Sequence, residues 1–95
     1  MSDATWLKCR VVTGLFTNEY TVLCNTFEGK TFSLYAPVSS VQVIGATLRP
    51  STENEGLLRV RVLDSSDEFR LVALPAKPLD APQTVKVRKS QLVAA

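Results

Sequence analysis

Three stretches of the chain carry two cations spaced two residues apart: Lys8 and Arg10, Arg59 and Arg61, Lys86 and Arg88. Each pair stands among apolar residues: Leu7, Cys9 and Val11; Leu58, Val60 and Val62; Val85 and Val87. In a strand this alternation sends both cations to one face and their apolar neighbours to the other. Ammonium and guanidinium groups held in water on neighbouring strands can neutralise phosphates. With Arg70 they make a candidate nucleic-acid set of Lys8, Arg10, Arg59, Arg61, Arg70, Lys86 and Arg88. Trp6 shares the parity of Lys8 and Arg10 and offers a stacking surface beside them. The other aromatics do not interleave with the cations on this reading. Phe32 and Phe69 fall on core positions, and Tyr20 shares the parity of Val22.

Long basic side chains also cover strand faces for solubility alone. Protein interaction is therefore the preferred reading, with nucleic-acid binding as the alternative. Leu23 and Tyr35 are expected to face outward beside Thr21. Together with Trp6 and Leu74 they would form apolar area of the kind that marks an interface. Self-association through such a patch describes a small homo-oligomer or an accessory subunit.

Catalytic chemistry finds no foothold. The chain has no histidine, no serine in a nucleophile-elbow pattern, no glycine-rich phosphate loop and no recognisable pair of carboxylates. Asp64, Asp67 and Glu68 do not match calcium-loop spacing and are expected to solvate a hairpin end. A closed zinc site needs four ligands, and two thiols without histidine could supply one only by recruiting carboxylates. The expectation is a non-catalytic module with no metal, cofactor or small-molecule substrate. Cys9 and Cys24 lie among apolar residues at core parity, where free cysteine acts as a small hydrophobe.

Those residues must be positioned by a chain of 95 residues, 45% apolar and 21% charged, which suits one packed domain over residues 1–95. The net charge of +2 is too small to imply a polyanionic partner; only its distribution could. The start, Met1 to Trp6, has neither a basic cluster nor an apolar run, and no stretch is long enough to span a bilayer. A soluble, cytoplasmic protein is expected.

Alternation and abundant valine place strands near Trp6 to Thr13, Tyr20 to Thr26, Lys30 to Tyr35, Val41 to Leu48, Leu57 to Leu63, Phe69 to Leu74 and Thr84 to Lys89. At most a single helical turn is expected after Pro37, because the β-branched residues that follow disfavour helix. Gly45 suggests a bulge or bend. Residues 75–82, with prolines at 75, 78 and 82, read as a surface connection within the domain. Ala94 and Ala95 read as frayed.

Two hairpins have predictable registers. A three-residue loop of Phe27, Glu28 and Gly29, with the glycine in the left-handed position, sets Thr26 against Lys30. It pairs Cys24 with Phe32 and Val22 with Leu34 on one face, and Asn25 with Thr31 and Leu23 with Ser33 on the other. A two-residue loop would mix polar with apolar partners, so burial selects the longer one. The second hairpin turns at residues 64–67. Pairing Val62 with Phe69, Val60 with Leu71 and Leu58 with Ala73 keeps one face apolar, buries Val60, Val62, Phe69 and Leu71, and sets Arg61 against Arg70.

Six to seven short antiparallel strands with one apolar face and no substantial helix describe an all-β domain, either a small barrel or a compact sandwich. A barrel removes exposed edges, which favours it in so short a chain. The hairpins, the proline-bearing connection and the short last strand resemble an SH3-like barrel in broad outline. The five-stranded oligonucleotide-binding barrel fits less well, because it usually carries a helix between its third and fourth strands.

Overall fold

The computed structural model describes residues 5–12, 18–44, 53–79 and 81–94. They are all β: β1 (Thr5–Val12), β2 (Glu19–Asn25), β3 (Thr31–Pro37), β4 (Val41–Val43), β5 (Glu53–Ser65), β6 (Phe69–Ala73), β7 (Thr84–Arg88) and β8 (Leu92–Ala94). Two single 3-10 turns, Val38–Ser40 and Lys89–Gln91, are the helical elements among the described residues. The first is the turn expected after Pro37. β8 is an addition to the seven expected strands, since three residues are too few to display alternation, and it takes Ala94 out of the frayed end. Gly45 and the expected continuation of β4 to Leu48 lie outside the described residues. No helix among the described residues is long and apolar enough to cross a membrane.

All pairings are antiparallel. The eight strands form one sheet ordered β3-β2-β1-β5-β6-β7, with β4 beside β5 and β8 beside β1. The sheet curls into a half-barrel, compatible with a small β-barrel. The path β8-β1-β5-β6-β7 leads back to its start through Lys89–Gln91, which joins β7 to β8. Bonds from the β2–β3 hairpin tie the other side. The Phe27 amide donates to the Lys86 carbonyl at 2.8 Å, and Gln91 Nε2 donates to the Asn25 carbonyl at 2.8 Å. The proline-rich connection runs beside β3, where the Leu79 amide donates to the Ser33 carbonyl at 2.9 Å.

The long strand β5 is the spine. Its first half pairs with β1 on one side and β4 on the other, and its second half pairs with β6. Gly56 permits the double pairing. A Cβ there would stand 2.5 Å from Val11 Cγ2 and 2.9 Å from the Gln42 carbonyl oxygen, closer than side chains tolerate.

The β2–β3 hairpin has the expected register throughout, including Cys24 with Phe32 and Val22 with Leu34. Gly29 has φ +84°, and its amide donates to the Thr26 carbonyl at 2.9 Å. Burial follows the pairing: Val22, Cys24, Phe32 and Leu34 are enclosed.

The β5–β6 hairpin differs from expectation. Its turn is tighter: the Ser66 amide donates to the Phe69 carbonyl at 2.9 Å, and Ser66 Oγ accepts from the Glu68 and Phe69 amides. The strands therefore extend to Ser65 opposite Arg70, and a bulge between Val62 and Asp64 resets the register to Val62 with Val72 and Arg61 with Ala73. The change inverts the faces of β6. Val72 and Leu74 enter the core, whereas Phe69 and Leu71 are half-buried and Val62 is 37% exposed. Of the four residues expected to be inaccessible, Val60 is. Arg61 does not oppose Arg70, so the like-charge contact does not arise. The Asp64 carboxylate accepts from the Ser65 amide at 2.8 Å beside the bulge, so Asp64 lies within the strand and not in the turn.

The core gathers Leu7, Val11, Val22, Leu34, Leu58, Val72 and Val87, all fully enclosed, with Phe32, Leu74 and Val85 nearly so. Burying each large aliphatic side chain contributes about 1.5 to 3 kcal/mol. Every strand except β8 sends at least one residue into it. The even residues of β1 and β7 and the odd residues of β6 and of the first half of β5 are thus left for the outer face.

Candidate nucleic-acid interface

On that outer face the cation pairs separate into two groups. Trp6 lies opposite Arg59 across β1 and β5, and opposite Val93 on β8, which leaves it half-buried. Lys8 and Arg61 are exposed on the same face, opposite Leu57 and Ala73. Arg10 is drawn away from its neighbours: it lies opposite Glu55, and its Nη1 makes a 3.0 Å ion pair with Glu53 Oε1. This is the ion pair among the described residues. No carboxylate of the described residues pairs with Lys8, Arg59, Arg61, Lys86 or Arg88.

The second group is one that sequence reasoning had divided wrongly. With β6 inverted, Phe69 faces outward opposite Arg88, and Leu71 opposite Lys86. Lys86 Nζ sits 4.8 Å from the Phe69 ring centroid. Phe27, carried in by the hairpin tip whose amide bonds to Lys86, meets Phe69 edge to face with centroids 6.3 Å apart and planes at 82°. Arg88 Cζ stands 5.2 Å from the centre of the Phe27 ring. Cations and aromatics therefore do interleave: two rings and two positive charges from three separate elements occupy one surface.

An open groove of about 400 Å³ adjoins this surface, between the hairpin tip and β7, with Thr26, Lys30, Pro82, Thr84 and Lys86 in its walls. Its walls mix hydroxyls, the Lys30 and Lys86 ammonium groups, the Glu28 carboxylate and apolar groups.

Arg70 leaves the candidate set. Its Nη1 donates to the Ser66 and Phe69 carbonyls at 2.6 and 3.0 Å, so the guanidinium closes the β5–β6 turn and is half-buried. Of the expected protein-interface residues, Leu74 is only 3% exposed and belongs to the core, because the corrected register turns it inward. Leu23 and Trp6 are half-buried and Tyr35 is 38% exposed, so a smaller patch remains than the sequence suggested. Cys24 is buried as expected, whereas Cys9 is half-buried. The Cys9 thiol hydrogen-bonded to it, together with burial, pushes the Cys24 thiol far above the usual range. Among the described residues, no three histidine, cysteine, aspartate or glutamate side chains gather as metal ligands would.

Phe27 was missed because it lies in a loop. The signal was present: a large apolar residue in a three-residue turn has nothing local to pack on, and must find a partner elsewhere in the fold. No protein family matches the chain, and no similarity is found to a curated protein or to a solved structure.

Proposed function

We propose that this protein is a non-catalytic binding module whose outer strand face takes an extended anionic polymer, single-stranded nucleic acid being the class that suits it. The observation that carries this reading is the interleaving of Phe27 and Phe69 with Lys86 and Arg88. Rings give sequence-tolerant stacking to bases, and cations beside them take phosphates, the combination that single-strand binders use. Trp6, Lys8, Arg59 and Arg61 extend the positive face across β1 and β5. The SH3-like form of the barrel is part of the proposal. It is supported by the path of pairings β8-β1-β5-β6-β7, whose two ends one 3-10 turn joins along the chain.

The test is fluorescence anisotropy with a short labelled single strand of mixed sequence, titrated at several salt concentrations. Binding should weaken steeply as salt rises, because each neutralised phosphate releases counterions. Reversing Lys86 and Arg88 to glutamate should abolish it, and Phe69→Ala should weaken it at every salt concentration without reducing the salt slope. An absence of binding at low salt, or binding indifferent to the charge reversal, removes the proposal.

A second reading, a protein-binding or self-associating accessory subunit, is favoured by a different observation. Tyr35 and Leu79, 38% and 62% exposed, flank the same edge of β3, where Leu79 is bonded to Ser33. Exposed apolar side chains side by side suit a contact with another protein surface. This reading expects a concentration-dependent oligomer that Tyr35→Glu disperses, measured by light scattering.

A further inference from the structure

β1 changes partners part-way along its length. Its second half pairs with β2 through Arg10 with Leu23, Val11 with Val22 and Val12 with Thr21, and its first half pairs with β8 through Thr5, Trp6 and Leu7. At the fork, one step beyond Arg10 and Leu23 in the same register, stand Cys9 and Cys24. The Thr26 amide bonds to the Lys30 carbonyl, so β2 turns the backbone groups of Cys24 and Val22 toward β3 and those of Leu23 and Thr21 toward β1. Cys9 and Cys24 therefore occupy a non-hydrogen-bonded cross-strand position, where Cα atoms approach to about 4.5 Å. A disulfide spans Cα separations of about 4.4 to 6.8 Å, a range that the continued register meets. The thiols share a hydrogen bond.

We propose that Cys9 and Cys24 are a redox modification site, forming a reversible intramolecular disulfide that bolts the β2–β3 hairpin to β1. The chemical class of oxidant is a small disulfide such as oxidised glutathione. Cys9 is the thiol that meets it, because it is half-buried where Cys24 is enclosed. Its thiolate attacks one sulfur of the glutathione disulfide, forming a mixed disulfide and expelling one glutathione thiolate. Cys24 then gives up its proton to solvent and attacks the Cys9 sulfur, which expels the second glutathione. Two electrons pass from the two protein thiols to one glutathione disulfide, and two glutathione thiols leave. Once Cys9 is in the mixed disulfide the first of the influences that keep Cys24 protonated, its hydrogen bond with the Cys9 thiol, is removed, while burial remains.

The bridge would join the hairpin to the barrel just beyond the Arg10–Leu23 end of the β1–β2 ladder. The Phe27 amide already ties the hairpin tip to β7, and the crosslink at Cys24, just before that tip, would add a covalent tie to β1. This inference is independent of what the outer face binds.

The test is equilibration of the native protein with glutathione buffers of graded oxidised-to-reduced ratio, followed by acid quench, alkylation and intact mass. The expected product is a monomer two mass units lighter that accepts no alkylating reagent, has a higher melting temperature than the reduced protein, and reverts with dithiothreitol. Cys24→Ala should instead accumulate a glutathione adduct at Cys9, which also checks that Cys9 is the entry point. A native wild type that yields only the adduct, only intermolecular dimers, or no product in the most oxidising buffer overturns the proposal. A bridge that forms just as fast in Gly29→Val, whose hairpin is weakened, still supports it. One that forms only after unfolding in urea overturns it.

Discussion

Phe27 and Phe69 are 42 positions apart in the chain and meet edge to face at 6.3 Å, one from a turn and one from β6. Each has a cation over its ring, Arg88 and Lys86 respectively. Edge-to-face pairs contribute about 0.5 to 1.5 kcal/mol beyond area burial. Both rings are half-buried, so they anchor the hairpin tip while leaving surface to stack on. Phe69→Ala should therefore cost about 1 to 2 kcal/mol, less than the roughly 3 to 5 kcal/mol of a core phenylalanine. Urea denaturation checks it, and a loss above 4 kcal/mol would mean that Phe69 is a core residue after all.

The bulged register of the β5–β6 hairpin separates two leucines that composition treats alike. Leu74 is 3% exposed and Leu63, at the bulge, is 45% exposed. Leu74→Ala should cost about 2 to 5 kcal/mol and Leu63→Ala less than 1 kcal/mol. Equal costs in a denaturant titration would restore the unbulged register.

The two hairpins show what alternation can specify. In β2 and β3 one face is wholly apolar and the other carries Thr21, Asn25, Thr31 and Ser33, so a slip by one residue would bury polar groups, and Gly29 marks the turn besides. In β6 both parities are apolar: Phe69, Leu71 and Ala73 on one, Val72 and Leu74 on the other. Arg70 alone distinguishes them. The rule that a charge faces water pointed the wrong way, because a guanidinium at a strand end can reach back to the turn carbonyls of Ser66 and Phe69. The exposure of the five cations Lys8, Arg59, Arg61, Lys86 and Arg88 was legible from spacing. Their aromatic company was not, since it depends on that register and on where a loop lands.

Gly29 and Gly56 resist substitution for different reasons. Gly29 has a positive φ and nothing within 4 Å of an added Cβ, so only backbone conformation opposes a side chain there. Gly29→Val should cost at least about 1 kcal/mol, and Gly29→Asn markedly less. Gly56 has an ordinary φ, but a Cβ would meet Val11 on one side and the Gln42 carbonyl on the other. Gly56→Ala should destabilise, and Val11→Ala in the same chain should recover part of the loss by vacating the nearer contact. A purely additive double variant would show that the squeeze is elsewhere.

Arg10 and Glu53 form an ion pair with side chains 42% and 50% exposed. Exposed pairs contribute about 0 to 1 kcal/mol, so Glu53→Gln should leave the denaturation midpoint nearly unchanged. It also breaks the ion pair that holds the Arg10 guanidinium, leaving Glu55 as its cross-strand neighbour. If the outer face takes a polyanion, Glu53→Gln should tighten oligonucleotide binding and steepen its salt dependence by about one contact. Tighter binding with an unchanged salt slope would assign the gain to something other than a new phosphate contact.

Cys24 links stability to alkaline pH. Its folded-state pKa is raised from 9.0, first by the hydrogen bond with the Cys9 thiol and then by burial. The unfolded chain releases the Cys24 proton as the pH passes about 9, while the folded chain retains it. The unfolded state then binds fewer protons, so stability falls as pH rises. The contribution is complete below pH 9 and declines by up to about 1.4 kcal/mol per pH unit above it. Measured under reductant, the free energy of unfolding of the wild type should drop between pH 9 and 10.5 more steeply than that of Cys24→Ala. Comparing slopes removes the cavity cost, which is the same at every pH. Parallel slopes would mean that Cys24 titrates alike in both states and is not held protonated by its pairing with Cys9.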